Sequence, residues 1–175
     1  MLLQRRDRKR ELQERYNGQT GRRAISICYL SRRAMPSSSL DAIFNPRSIA
    51  IVGVSTSGRT ALLGGASYLD AMIRCGFKGR LYPVNPKGGE VRGLTVYPSV
   101  RDIPGPVDYA ISAIPAAGAV QLMQDCVAKG VKAVHFFTSG FSELGRPEGI
   151  ELERQVLALA KEHGIRVVGP NCMGV

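Results

Sequence analysis

From residue 40 onward, short β-branched apolar runs alternate with longer stretches at helical spacing, and this alternation restricts the fold more than any other feature of the chain. The run "SIAIVGV" (48–54) is apolar without interruption, as strands buried on both faces of a parallel sheet are. A helix is predicted over about residues 62–74, stopped by Gly76, followed by a strand in "GRLYPVN" and a short one in "LTVYPS". "VDYAISAIP" (107–115) is the next strong strand. "AAGAVQLMQDCVAKG" is a helix closed by Gly130, "VKAVHFFTSG" a strand, "EGIELERQVLALAKEHG" a helix closed by Gly164, and "IRVVG" the last strand. Strands alternating with helices predict βαβ crossovers and a doubly wound parallel sheet, an α/β fold of Rossmann type formed by residues 40–175 as a single domain.

The 39 residues before it read differently. They contain "QRRDRKRELQERY", "NGQTGRR" and "MPSSS", with little apolar periodicity, and are expected to be a basic, disordered extension; "AISICYL" (24–30) is at most a weak strand. Translation from Met35 is the competing reading of this segment. The first 40 residues hold ten Lys and Arg against three acids, so +7 of the net charge of +10 lies there. A body carrying only +3 is a poor DNA-binding surface, and nucleic acid is not an expected partner. Apolar residues make up 44% and charged residues 22%, as in globular domains. No apolar run reaches the roughly 18 residues that cross a bilayer, and the start lacks the apolar stretch of a secretory signal, so a cytoplasmic protein without membrane contact is expected.

Cys28, Cys75, Cys126 and Cys172 are widely spaced and only His135 and His163 could join them, which offers neither a zinc site nor a disulfide framework; buried, reduced thiols are expected, and no metal. His135 lies inside an apolar strand and reads as a packed core residue. His163 stands at a helix C-terminus, where partial positive charge complements the dipole. Cys172 has no base beside it in its motif, and Glu143 lies in a loop or helix start, so no catalytic residue is assigned.

The segment "GVSTSGRT" (53–60) follows the first strand and leads toward the first helix, where exposed N–H groups and the helix dipole favour a phosphate. It differs from the P-loop by arginine in place of lysine, and the strong strands end in Asn85, Pro115, Ser139 and Gly169 rather than in an acid for magnesium, which argues against nucleoside triphosphate hydrolysis. It lacks the G-x-G-x-x-G spacing of dinucleotide sites. After the second strand, "PVNPKGG" puts Lys87 where an acid would hold the ribose hydroxyls of NAD. A cation there suits a ribose that carries a phosphate. Both NADP and coenzyme A have that feature, and the small and hydroxylated residues of "AIPA" (113–116) and "FTSGFSE" (137–143) leave the two open.

Five ordered blocks, "IAIVGVS", "GFKGRLYPVNPK", "YPSVRDIPGPVDYAISAIPA", "GVKAVHFFTSGFSELG" and "GIRVVGPNCMGV", carry a resemblance. Together they resemble the N-terminal CoA-binding domain of NDP-forming acyl-CoA synthetases, which include ADP-forming acetyl-CoA synthetase and, more distantly, the α subunit of succinyl-CoA synthetase. The resemblance implies coenzyme A as ligand. It implies contacts from Gly53, Ser55, Thr56, Ser57 and Gly58 in the first loop, from Lys87 in the second, from Ile114 and Pro115, and from Phe137, Thr138 and Ser139 along the pantetheine arm. It also implies a part in an acid–CoA ligase whose phosphohistidine and ATP-grasp modules lie on further domains or on another chain. By itself this domain is expected to bind CoA or acyl-CoA without catalysing; a free-standing CoA-sensing or NADP-binding module is the alternative.

Overall fold

The computed structural model describes residues 40–55 and 64–173. The expectations for the N-terminal extension, for "AISICYL" and for Thr56, Ser57 and Gly58 lie outside the described residues.

A short helix, α1 (Asp41–Phe44), precedes β1 (Ser48–Val52), all five of whose residues are buried. Then follow α2 (Gly65–Arg74), β2 (Arg80–Val84), β3 (Gly89–Val91), β4 (Leu94–Val96) and β5 (Tyr109–Ser112). The second half holds α3 (Ala119–Lys129), β6 (Ala133–Phe136), α4 (Pro147–His163) and β7 (Arg166–Val168). Proline opens α4, where its missing N–H costs nothing. Gly130 and Gly164 end α3 and α4 in the left-handed conformation, as their positions predict.

Five strands form one parallel sheet in the order β2-β1-β5-β6-β7. The expected α/β fold of Rossmann type is therefore found. Alternate residues face opposite layers: Ile49, Ile51, Tyr109 and Ile111 pack beneath Leu69 of α2. Ala50, Val52, Ala110, Val134 and Phe136 pack beneath Leu122 and Met123 of α3 and Val156 and Ala160 of α4. With both faces covered, the strands have no polar alternation to display, which is why they read as continuous apolar runs.

Two expectations need correction. The segment after β2 holds two strands rather than one: β3 and β4 form an antiparallel hairpin, with Val91 opposite Leu94. Its two-residue turn, Arg92–Gly93, has positive φ at both positions (53° and 75°), the geometry that suits the twist of a hairpin. Arginine is an unusual occupant there and hides the turn signal; its guanidinium makes a two-pronged pair with Asp70 of α2 at 2.8 and 3.0 Å. The second correction concerns the thiols. Cys126 is buried, and Cys172 half-buried, but Cys75 is exposed, because it caps the end of α2 beyond the turn that Leu69 packs onto the sheet.

Among the described residues, no helix is long and apolar enough to cross a membrane.

Candidate functional site

The sheet order decides where a ligand can sit. From β1 the chain passes to β2 on one side and returns to β5 on the other, so the strand order reverses between β1 and β5, and it is outside the carboxyl ends of two such strands that doubly wound sheets take their ligands. Gly53 and Ser55 lie on one lip, and Ile114 and Pro115 on the other. Gly53 has φ of +93°, and a Cβ there would stand 2.6 Å from the Ala113 carbonyl oxygen. Only glycine permits this approach of the two lips.

The β1 lip is anchored on its other side too. The N–H groups of Gly53 and Val54 both donate to the Val84 carbonyl, at 3.0 and 3.3 Å. Gly53 therefore shapes the turn, and its N–H and that of Val54 are already taken up by the Val84 carbonyl. The start of α2 is close at hand: a Cβ on Gly65 would come within 2.7 Å of Gly53 carbonyl C and O and 2.8 Å of Val54 N. The positive end of the α2 dipole thus abuts the turn after β1, and no described side chain caps it.

Hydrogen bonds lace the remaining strand ends into a rim. Asn85 Nδ2 donates to the Val54 carbonyl at 2.8 Å, and Asn85 Oδ1 accepts the N–H of Lys87 at 2.9 Å. Lys87 itself is exposed. The Thr138 hydroxyl donates to the Ile114 carbonyl, joining the β5 and β6 loops. Asn171 N–H donates to the Thr138 carbonyl at 3.1 Å, joining β6 to the loop after β7. Phe137 is half-buried with its ring edge-on to Tyr68 at 5.4 Å, and Ser139 is exposed. The described members of the expected site therefore share one end of the sheet, with Lys87 at the β2 end and Phe137, Thr138 and Ser139 at the β6 end.

Beneath the rim on the α2 side lies an aromatic cluster. His135 is 1% exposed, stacks on Tyr109 with centroids 6.3 Å apart, and meets the edge of Tyr68. Its Nε2 lies 2.8 Å from the Cys172 carbonyl. A carbonyl can only accept, so Nε2 carries the proton. Burial lowers the His135 pKa from its ordinary value, partly offset by this hydrogen bond, and the ring is neutral near pH 7. Burial raises the phenols of Tyr109 and Tyr68; the latter donates to the Met173 carbonyl at 2.8 Å. The cluster thus clamps the loop after β7, which suits the expected structural part for His135.

Sequence reasoning missed Asn85 and Gly65. Asparagine two residues before a Lys-Gly-Gly segment is a turn signal that could have found the first. Gly65 in "LLGGASYLD" carries no local mark of the close approach it permits. Among the described residues, no group of His, Cys, Asp or Glu could hold a metal ion.

A family model described as a CoA binding domain matches residues 47–175, more than half of the chain. The chain belongs to the CoA-binding domain family. It is 42% identical over 141 residues to the α subunit of ADP-forming acetate–CoA ligase I of Pyrococcus furiosus, covering 78% of this chain and 30% of that one. It is 44% identical over 133 residues to ADP-forming acetate–CoA ligase II of Archaeoglobus fulgidus, covering 76% and 19%. Among solved structures it resembles dinucleotide-forming acetyl-coenzyme A synthetase 1 of Ca. Korarchaeum cryptofilum, in complex with phosphate and ADP, with a TM-score of 0.71, 39% identity, and coverage of 77% and 28%. This CoA-binding domain thus spans under a third of the length of these relatives, and matches the CoA-binding part of ADP-forming acyl-CoA synthetases.

Proposed function

We propose that this chain binds coenzyme A or an acyl-CoA across the crevice between β1 and β5, as the CoA-binding part of an ADP-forming acid–CoA ligase. The observation that carries the reading is the reversal of strand order between β1 and β5, the sheet's switch point, in a member of the CoA-binding domain family. The donor set suits the ligand. The pyrophosphate would meet the loop from Ser55 through Thr56, Ser57 and Gly58, with the start of α2 behind it; Gly53 shapes the turn. Lys87 would meet the 3′-phosphate, and the pantetheine arm would pass Ile114 and Pro115 toward Phe137, Thr138 and Ser139. In this reading the chain's own residues bind and orient. The chemistry, in which acid, CoA and ATP give acyl-CoA, ADP and phosphate, belongs to partner domains.

The test is a thermal-shift titration of the full chain with CoA, 3′-dephospho-CoA, NADP and NAD. Ligand at a hundredfold excess over its Kd adds about 2.7 kcal/mol, which for this size corresponds to roughly 5 to 10 °C in Tm. CoA should give that shift, 3′-dephospho-CoA a smaller one, and Lys87→Ala should remove the difference. A shift with NADP alone would replace this reading with an oxidoreductase one.

A further inference from the structure

Among the described residues, Asn85 is a polar side chain that joins the end of β1 to Lys87. Its Nδ2 reaches 31 residues back along the chain to the Val54 carbonyl, immediately before Ser55. Its Oδ1 holds the N–H of Lys87 at 2.9 Å. The turn does not need the side chain to close, because the Gly88 N–H already donates to the Asn85 carbonyl at 2.9 Å. The main-chain N–H of Asn85 is held as well, by the Tyr97 carbonyl at 2.9 Å, which docks the residue against the segment after β4. A half-buried amide with main chain and side chain both bonded is a fixed strut rather than a surface group.

From this arrangement we propose that Asn85 is a positioning residue that sets the separation between the end of β1, at Val54 and Ser55, and Lys87, and so gives the site its preference for a 3′-phosphorylated ribose. The inference rests on the reading of Lys87 given under Proposed function. In coenzyme A the pyrophosphate and the 3′-phosphate are attached to one ribose, so their separation is confined to a narrow range. A protein that reads both must hold its two subsites at a matching distance. Lysine is a flexible point charge and does not set that distance alone. The strut fixes where its main chain starts, relative to the carbonyl next to the other subsite.

The experiment is calorimetric titration of the full chain with CoA and with 3′-dephospho-CoA, in wild type, Asn85→Ala, Asn85→Thr, Lys87→Ala and the double variant Asn85→Ala/Lys87→Ala. The readout is the Kd for 3′-dephospho-CoA divided by the Kd for CoA, a ratio that a change in overall stability or in active fraction does not move. Asn85→Thr keeps a hydroxyl to accept the Lys87 N–H and thus preserves the turn, but is too short to reach Val54. Lys87→Ala should lower the ratio about tenfold, in line with loss of about 1.4 kcal/mol of phosphate contact. Asn85→Ala should lower it about three- to tenfold and Asn85→Thr at least about twofold, as partial loss of that contact. The double variant should match Lys87→Ala within about twofold, because Asn85 acts through the lysine. An unchanged ratio in both Asn85 variants while Lys87→Ala lowers it overturns the proposal and leaves the Lys87 reading standing. A further fall in the double variant overturns it too, since Asn85 would then act independently. An unchanged ratio in Lys87→Ala overturns the Lys87 reading itself, and the proposal with it.

Discussion

Replacing Gly65 by alanine tests how closely α2 approaches the turn after β1. The new Cβ would stand 2.7 Å from both carbonyl atoms of Gly53, whereas ordinary contact begins at 3.4 Å, so the helix start must lift by about 0.7 Å. The β1 end cannot yield instead: Val52 is almost fully buried, Val54 fully buried, and the turn is bonded to Val84 on one side and pressed against Ala113 on the other. A radial gap of 0.5 to 1 Å forfeits about a quarter to a half of each affected dispersion contact, here those that Leu69 makes with the sheet. Overpacking of this kind costs about 1 to 3 kcal/mol. Alanine returns up to about 1 kcal/mol through better helix propensity. The net expectation is a loss of about 1 to 2 kcal/mol, or roughly 2 to 8 °C in Tm by differential scanning calorimetry. CoA affinity should also fall, by about three- to tenfold, because the helix dipole acts over only its first turn. Gly130→Ala serves as comparison. It places a Cβ with nothing within 4 Å at a left-handed cap near the opposite end of the sheet, and should cost about 1 kcal/mol through backbone strain with no change in CoA affinity. A Gly65→Ala protein that melts at or above the wild-type temperature and binds CoA unchanged would refute the close approach and the anion-binding part assigned to α2.

The same structure carries two further expectations. Because burial lowers the His135 pKa from 6.5, the unfolded chain takes up the proton more readily than the folded one. Stability is therefore full above about pH 6.5 and falls as the pH drops toward the folded value, by up to about 1.4 kcal/mol per unit for one proton. Urea midpoints from pH 7.5 to 5.5 should show that slope in wild type and in His163→Gln, and lose it in His135→Gln; a flat wild-type profile would rule out the buried neutral ring. Thiol labelling read by peptide mass mapping should modify exposed Cys75 in the native protein and reach Cys126 only after denaturation, since burial pushes the Cys126 thiol up to about 12. Equal native labelling of the two would contradict the packing of α3.

Much of the architecture was legible because strand and helix periodicities are local. The apolar run at 48–54 could only be a strand covered on both faces, and glycines at 130 and 164 marked helix ends because a left-handed cap needs no tertiary contact to be favourable. The hairpin of β3 and β4 was half hidden, since its left-handed turn residue is an arginine that an aspartate 22 residues earlier in the chain helps to hold. Cys75 misled for a related reason: composition favours buried thiols, but the sheet's extent, not the residue's own character, decided that the end of α2 lies beyond it.

What the sequence determined by itself was the fold class, the family and the end of the sheet at which a ligand should be sought, because strand-helix order and glycine positions are written along the chain. Tertiary structure alone decided how the loops meet there. The strand order sets β5 beside β1 so that Gly53 meets Ala113 and Ile114, Gly65 lets a helix touch the backbone of Gly53, and Asn85 ties the loop after β2 to Val54 at the end of β1. These contacts join residues 12 to 61 positions apart. No local periodicity encodes such pairings; they exist only once the sheet has brought the strand ends side by side.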